Sequence, residues 1–248
     1  MIYVVLPAYN EGANIAPLLR TMKTAMKNAG LPDYQVLVVN DGSTDDTLAV
    51  LKGISAELPV TVIDNATNQG LAETLKRGLV RAAEIAADED IIVTMDADNS
   101  HTPALIRRMV VAIQEGNDVV IASRYRYGAR VRGVPAHRLL LSSGASWLFR
   151  ALFPIDGVRD FTSGYRAYRA GLLRRAFADL GPSAIISERG FSCMVDILLK
   201  IREYDPIITE VPLILRYDQK QGASKMKVLR TVGDTLKLVV RRRFGSNR

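Results

Sequence analysis

Asp96 and Asp98 stand one residue apart directly after the β-type run Ile91-Ile92-Val93-Thr94-Met95. Two carboxylates at i and i+2, where the chain leaves a sheet, can converge on one hard divalent cation and still leave room for phosphates. Aspartate is also common in loops and caps, and Asn99-Ser100 can cap a helix starting near Pro103. Placement at a strand end favours the metal reading. A second acidic turn, Asn40-Asp41-Gly42-Ser43-Thr44-Asp45, follows the run Gln35 to Asn40. There the glycine permits a tight turn, Ser43 or Thr44 can cap the next helix, and Asp41 is left to accept hydrogen bonds from a base or ribose. The third turn, Pro7-Ala8-Tyr9-Asn10-Glu11-Gly12, offers an aromatic ring and a carboxylate that can clasp a base and its sugar. Capping alone explains one such turn more easily than three.

The elements that must position these turns are legible as a rhythm. Five short β-branched runs (residues 2–6, 35–40, 60–64, 90–95 and 118–123) alternate with stretches whose apolar residues recur at helical spacing, as in Ile15, Leu18, Leu19, Met22 and Met26. Gly30, Gly53, Gly78 and Gly116 fall near the expected helix ends, Gly78 at an end or inside its helix. The pattern predicts an α/β fold, a Rossmann-like, mostly parallel sheet flanked by helices. In such sheets ligands gather beyond the carboxyl ends of the strands, where all three turns lie.

Charge divides the chain of 248 residues in two. Residues 1–123 hold 9 Lys/Arg against 16 Asp/Glu, while residues 124–248 hold 24 against 10. An acidic half able to hold a metal is thus followed by a basic half able to meet phosphates or a membrane surface. One cysteine, Cys193, and two histidines exclude an intramolecular disulfide and a Cys/His zinc cluster. From Arg124 to Ile155 there are six arginines and no acid, including the apolar run Leu139 to Phe153. That run is too short to span a bilayer of ~20 helical residues and reads either as an interfacial helix or acceptor groove, or as a core helix. From Lys220 to Arg248 nine Lys/Arg face one acid, Asp234. Leu229, Val232, Leu236, Val239 and Val240 form an apolar stripe there, which predicts a basic amphipathic helix that rests on a membrane or packs on protein. The N-terminus carries no basic leader or cleavage site, so the expected location is cytoplasmic and peripheral.

These turns in this order resemble the family-two glycosyltransferases of the GT-A fold. Ser123-Arg124-Tyr125, the spacing of Arg138 to Ser142, the run Asp160-Phe161-Thr162-Ser163-Gly164-Tyr165-Arg166-Ala167-Tyr168, and Arg216 with Lys225 nine residues later narrow the resemblance to polyprenyl-phosphate (dolichol-phosphate) mannose synthases. It implies a GT-A domain over residues 1–219 and a membrane-interface segment over 220–248. Pro7, Tyr9, Glu11, Asp41 and Ala97 would line the nucleotide pocket, and Asp96 and Asp98 would hold Mg²⁺ or Mn²⁺. Where the best-known members place a metal-coordinating Gln, this chain has Ser100, which ligates directly, through water, or not at all. Arg124, Arg138 and Ser142 would bind the acceptor phosphate, with Arg124 and Asp98 central to catalysis, and Arg216 and Lys225 would close over phosphates. The segment from Asp160 to Tyr168 either shapes the sugar pocket or is a structural strand and turn.

The implied reaction moves mannose from GDP-mannose to a polyprenyl phosphate with inversion. The alternatives are UDP-glucose as donor or a non-lipid acceptor. A hydroxyl acceptor would need a carboxylate base that residues 124–155 do not offer. A nucleotidyltransferase would open with a Gly-rich phosphate loop in place of Pro-Ala-Tyr-Asn-Glu. Nucleic acid is not an expected partner, since the arginines lack interleaved aromatic stacking. A membrane-anchoring partner subunit is compatible with the expected peripheral location.

Overall fold

The computed structural model describes residues 1–188, 190–221 and Gly233, with the side chains of His137, Arg138 and Phe191 outside that set. The five predicted strands are present to within two residues at each end: β1 Ile2–Ala8, β2 Tyr34–Asn40, β3 Val60–Asp64, β4 Ile91–Thr94 and β5 Val119–Ser123. Between them run α1 Gly12–Ala29, α2 Thr47–Ile54, α3 Leu71–Ile85 and α4 Ile106–Gln114. After β5 the chain forms β6 Arg130–Arg132, α5 Ala136–Leu152, β7 Arg166–Arg169, α6 Ala170–Leu180, α7 Pro182–Ile185, α8 Cys193–Ile201, β8 Ile208–Pro212 and β9 Ile214–Arg216.

Seven strands make one sheet in the order β3-β2-β1-β4-β7-β5-β8. Only β7 runs antiparallel, wedged between β4 and β5. Its amino end therefore lies at the same edge as the carboxyl ends of its neighbours. A separate parallel pair, β6 with β9, stands beside this edge.

Helices cover both faces, which is why β1 reads as a continuous apolar run. Tyr3 and Val5 pack with Leu75 and Leu79 of α3 and with α6 and α8. Val4 and Leu6 turn the other way, onto Ile15, Leu18, Leu19 and Met22 of α1. Each such buried side chain is worth ~1.5–3 kcal/mol. The helical spacing that predicted α1 is thus its buried stripe.

Contact requires glycine at several positions, Gly78 and Gly42 among them. A Cβ on Gly78, which lies inside α3, would collide with Val5 Cγ1, so its absence lets the helix close on the sheet. Gly42 has φ +63°, and a Cβ there would lie 2.5 Å from the Thr67 backbone. Gly53 also falls inside its helix, one residue short of the end of α2, whereas Gly30 caps α1 in the left-handed conformation.

Candidate active site

The register brings the three acidic turns together. Ala8 pairs with Asn40 and Val5 with Thr94, so β1, β2 and β4 end side by side. Across the edge, Asp41 follows β2, Pro7 is the last residue but one of β1 with Tyr9 and Glu11 beyond its end, and Asp96, Ala97 and Asp98 follow β4. The loop entering β7 comes next, and Arg124 leaves β5 last. The helix that was to begin near Pro103 starts as a short 3₁₀ turn, and neither Asn99 nor Ser100 caps it.

The local chain shapes the D-x-D turn. Met95 N–H donates to Val5 O at 3.3 Å, holding the strand one residue further, and Asn99 then adopts φ 62° and reverses the chain. Ser100 donates twice to Asp98 Oδ1, from its N–H at 3.1 Å and its hydroxyl at 2.5 Å. Asp98 Oδ2 accepts from the Lys220 ammonium at 2.6 Å. Burial would raise the Asp98 pKa, but the Lys220 charge and these bonds hold it below the usual range. Asp96 is more exposed, at 36% of its side chain, and its carboxyl is pushed up by desolvation and by Asp98, against the pull of His101.

His101 was not singled out by sequence. Its Nδ1 accepts the Asp96 N–H at 3.1 Å, so the ring proton of the neutral form sits on Nε2, 4.0 Å from Asp96 Oδ2. Its ring stacks on Tyr165 with centroids 4.9 Å apart. Proximity to the D-x-D pair in one of only two histidines was the available signal.

The other two turns are laced together. Neither Ser43 nor Thr44 is the cap of α2, whose N-cap is Asp46; Asp45 instead accepts from the first N–H of α2, Thr47 at 3.0 Å, and from that of α1, Gly12 at 3.1 Å. Ser43 instead accepts from Asn10 N–H at 2.9 Å. Glu11 is buried, with its N–H on Thr47 Oγ1 at 2.8 Å and its Oε2 accepting from Asn14 Nδ2 at 2.7 Å. Asp41 is not left open as expected: its carboxylate accepts from Asn65 Nδ2 at 3.0 Å, Gln69 N–H at 2.8 Å and Gly70 N–H at 2.9 Å. The approach of the 65–70 turn over Gly42, invisible in sequence, accounts for this.

At the far end of the edge Arg124 meets Asp160 in a fork, Nε to Oδ2 at 2.8 Å and Nη2 to Oδ1 at 2.6 Å, while Nη2 also reaches Thr162 Oγ1 at 2.6 Å. Burial alone would depress the arginine's pKa, but the Asp160 carboxylate reverses this and raises it, with Asp96 adding to the effect. Ser142 of α5 joins the group, accepting from Tyr125 Oη at 3.2 Å and lying 3.5 Å from Thr162 Oγ1. A Cβ on Gly164 would stand 3.7 Å from Asp96 Oδ1, so the 160–165 loop links the arginine end to the D-x-D turn. The segment from Asp160 to Tyr168 thus brings Asp160, Thr162 and Gly164 to this edge and, from Arg166, becomes a central strand.

Arg216 reaches the site through its backbone, N–H to Ser100 O at 2.8 Å, while its guanidinium pairs with Asp218 at 2.8 Å. The Arg138 side chain and Lys225 lie outside the described residues, as does the apolar stripe from Leu229 to Val240. Cys193 is buried, and desolvation pushes its thiol up to about 12, so it offers no thiolate.

The donor set suits a hard divalent cation. Asp96 and Asp98 supply oxygen only, and the Lys220 ammonium on Asp98 stands where a cation would. No group of three or more His, Cys, Asp or Glu able to hold a metal occurs among the described residues. Remaining ligands would have to be water and phosphate oxygens, as Mg²⁺ prefers.

A mostly parallel sheet that gathers a D-x-D pair and two further acidic turns at its carboxyl edge defines the GT-A class of nucleotide-sugar transferase folds. The chain belongs to glycosyl transferase family 2, whose family model matches residues 3–178. It is 33% identical over 225 residues to a dolichol-phosphate mannosyltransferase of Pyrococcus furiosus, covering 90% of this chain and 58% of that protein. A polyprenol monophosphomannose synthase of Mycolicibacterium smegmatis is 32% identical, over 90% of this chain and 80% of the relative. The chain therefore spans little more than half the length of the archaeal relative and most of the bacterial one. Among solved structures, glucosyl-3-phosphoglycerate synthase of Mycobacterium tuberculosis, bound to Mn²⁺, UDP and glucosyl-3-phosphoglycerate, superposes with TM-score 0.67. That likeness covers 100% of this chain and 81% of the other at 23% identity, and it speaks for the fold alone.

Proposed function

We propose that this chain transfers mannose from GDP-mannose to a polyprenyl (dolichyl) phosphate, inverting the anomeric centre. The carrying observation is that the same sheet edge holds a D-x-D pair at its middle and a hydrogen-bonded arginine with two hydroxyls, Arg124 with Ser142 and Thr162, at its end. The named activities of the polyprenol- and dolichol-phosphate relatives supply the substrate class.

Each residue then has a task. Pro7, Tyr9, Glu11 and Ala97 line the nucleotide pocket, and Asp41 shapes it through its bonds to the 65–70 turn. Asp96 and Asp98 hold Mg²⁺ or Mn²⁺, with Ser100 orienting Asp98. Bound there, the cation supplies Lewis-acid stabilisation of the diphosphate leaving group. Arg124 and Ser142, with Arg138, grip the acceptor phosphate; Asp160 and Thr162 hold Nε and Nη2 of Arg124, so its Nη1 is the group turned to the phosphate, and a planar guanidinium makes strong charge-assisted bonds to phosphate oxygens. Arg216 and Lys225 close over the phosphates.

The acceptor oxygen is already ionised near neutral pH and needs no strong base. The nearby carboxylate, Asp160, suits this, because its bonds to Arg124 and to the Thr162 and Ser163 N–H groups hold it ionised and engaged. The nucleophile attacks from the arginine end while the nucleotide leaves towards β1 and β2.

The exposed face of α5 supports access to a lipid. Phe149 and Phe153 anchor the helix to the core, while Leu140 is 75% and Trp147 70% exposed, and Arg126, Arg130, Arg132 and Arg150 of the same stretch of chain are exposed as well. The chain is thus proposed to work peripherally on a membrane, and no helix among the described residues is long and apolar enough to cross one.

Replacing Asp98 with Ala tests the site. Mn²⁺-dependent transfer should fall by roughly 10²–10³-fold, as for loss of a preorganised electrostatic group. Full Mn²⁺-stimulated transfer by Asp98→Ala would remove the assignment.

A further inference from the structure

Residues 214–221 form a strap across the D-x-D turn. At its start β9 lies on β6, Thr102 Oγ1 donates to Ile214 O at 3.3 Å, His101 bridges to Leu215, and Arg216 N–H donates to Ser100 O at 2.8 Å. Its far end docks on α1 by a reciprocal pair of bonds. Gln221 N–H donates to Asn14 Oδ1 and Asn14 Nδ2 donates to Gln221 O, both at 3.0 Å. The same Asn14 amide holds Glu11. Between these two moorings Lys220 drops its ammonium onto Asp98 Oδ2 at 2.6 Å, with only 10% and 12% of the two side chains exposed. The Tyr217 ring lies 5.6 Å from the same ammonium.

Asp98 has little else to offer a cation. Its Oδ1 already accepts two bonds from Ser100, so Oδ2 is the oxygen that faces the site, and Lys220 is on it. Mg²⁺ sits at about 2.0–2.1 Å from a carboxylate oxygen. An ammonium at hydrogen-bond distance from that same oxygen would face it at close range with like charge.

We propose that Lys220 is a built-in cation that competes with the divalent metal for Asp98, and that the strap is a latch opened by the exchange. The inference rests on Asp96 and Asp98 being the metal site. With Lys220 in place, the acid group of Glu11, Asp96 and Asp98 is partly neutralised. Metal entry displaces the ammonium, loosens the Gln221–Asn14 clasp and leaves Lys220 available to the donor's diphosphate. The latch thus lowers affinity for metal alone while favouring metal that arrives with nucleotide. Competition of this kind divides the dissociation constant by the fraction of protein whose site is open, so the apparent affinity falls by that fraction.

The test is Mn²⁺ binding without nucleotide, followed by the electron paramagnetic resonance signal of free Mn²⁺, for the wild-type chain and for Lys220→Met and Lys220→Arg. The expected result is tightening on the order of tenfold for Lys220→Met, as for a site about nine-tenths latched, and wild-type-like affinity for Lys220→Arg. Hydrogen exchange on the wild-type protein supplies a readout that needs no variant: Mn²⁺ should speed exchange at the Lys220 and Gln221 amides. Equal Mn²⁺ affinity in wild type and Lys220→Met, or exchange at 220–221 unchanged by saturating Mn²⁺, overturns the latch and leaves the metal site standing. Absence of Mn²⁺ binding in all three proteins removes the metal site, and the latch with it.

Discussion

Arg124 is held by one partner above all. Asp160 is fully buried and accepts from the Arg124 backbone and guanidinium, from Thr162 and from Ser163. Removing one member of such a pair leaves the other charge uncompensated, at ~3–5 kcal/mol. Asp160→Asn should therefore lose stability of that order in urea titrations at pH 7 and weaken acceptor use. The sign with pH follows from burial, which would raise the Asp160 pKa, being outweighed by Arg124, which lowers it. A depressed carboxyl stabilises the fold above its unfolded-state value, near ~3.9, and that contribution is lost as pH falls through the folded value. The gap in melting temperature between wild type and Asp160→Asn should be constant near neutrality and close in the acid range below about pH 4. A gap that stays open through that acid range would contradict the assignment. Sequence exposed Asp96, Asp98 and Glu11 because each follows a strand end, and Arg124 through the family resemblance carried by Ser123-Arg124-Tyr125. It hid their partners, since Asp160 lies 36 residues from Arg124 and Lys220 lies 122 from Asp98.

At the level of elements, the β-branched rhythm predicted five strands and the stripe of α1, because period and burial coincide there. It could not show that β7 enters the sheet antiparallel between β4 and β5. That placement depends on the non-local pairs Ile92 with Tyr168 and Val120 with Ala167. Nor could it decide whether Leu139 to Phe153 was core or surface, because α5 is both. Its buried end, at Phe149 and Phe153, fixes it to the core cluster that includes Phe161 and Tyr168. Its outward residues Leu140 and Trp147 are seven apart, on one face. Exposed surface positions tolerate substitution within about 0.5 kcal/mol. The double variant Leu140→Ser, Trp147→Ser should keep its melting temperature yet cosediment less with anionic vesicles. Added salt should weaken wild-type binding further, as the Debye length shrinks to ~3 Å at 1 M. Undiminished cosedimentation of the double variant would show that α5 is not the contact.

Over the whole molecule, the charge division in the sequence becomes a spatial division along one sheet edge. The acidic turns of the first half sit over β2, β1 and β4, and the arginine-bearing second half begins at β5 and folds back beside them. A nucleotide diphosphate with its cation would lie over the acidic end and a phosphate acceptor over the basic end, with the sugar between. The most direct measurement is transfer itself: the chain is incubated with Mn²⁺, a polyprenyl phosphate and, in separate reactions, labelled GDP-mannose and UDP-glucose, and label is counted in the organic phase. The account predicts metal-dependent entry of mannose label, abolished by leaving out the polyprenyl phosphate. Entry of glucose label alone, or of no label from either donor, would contradict it.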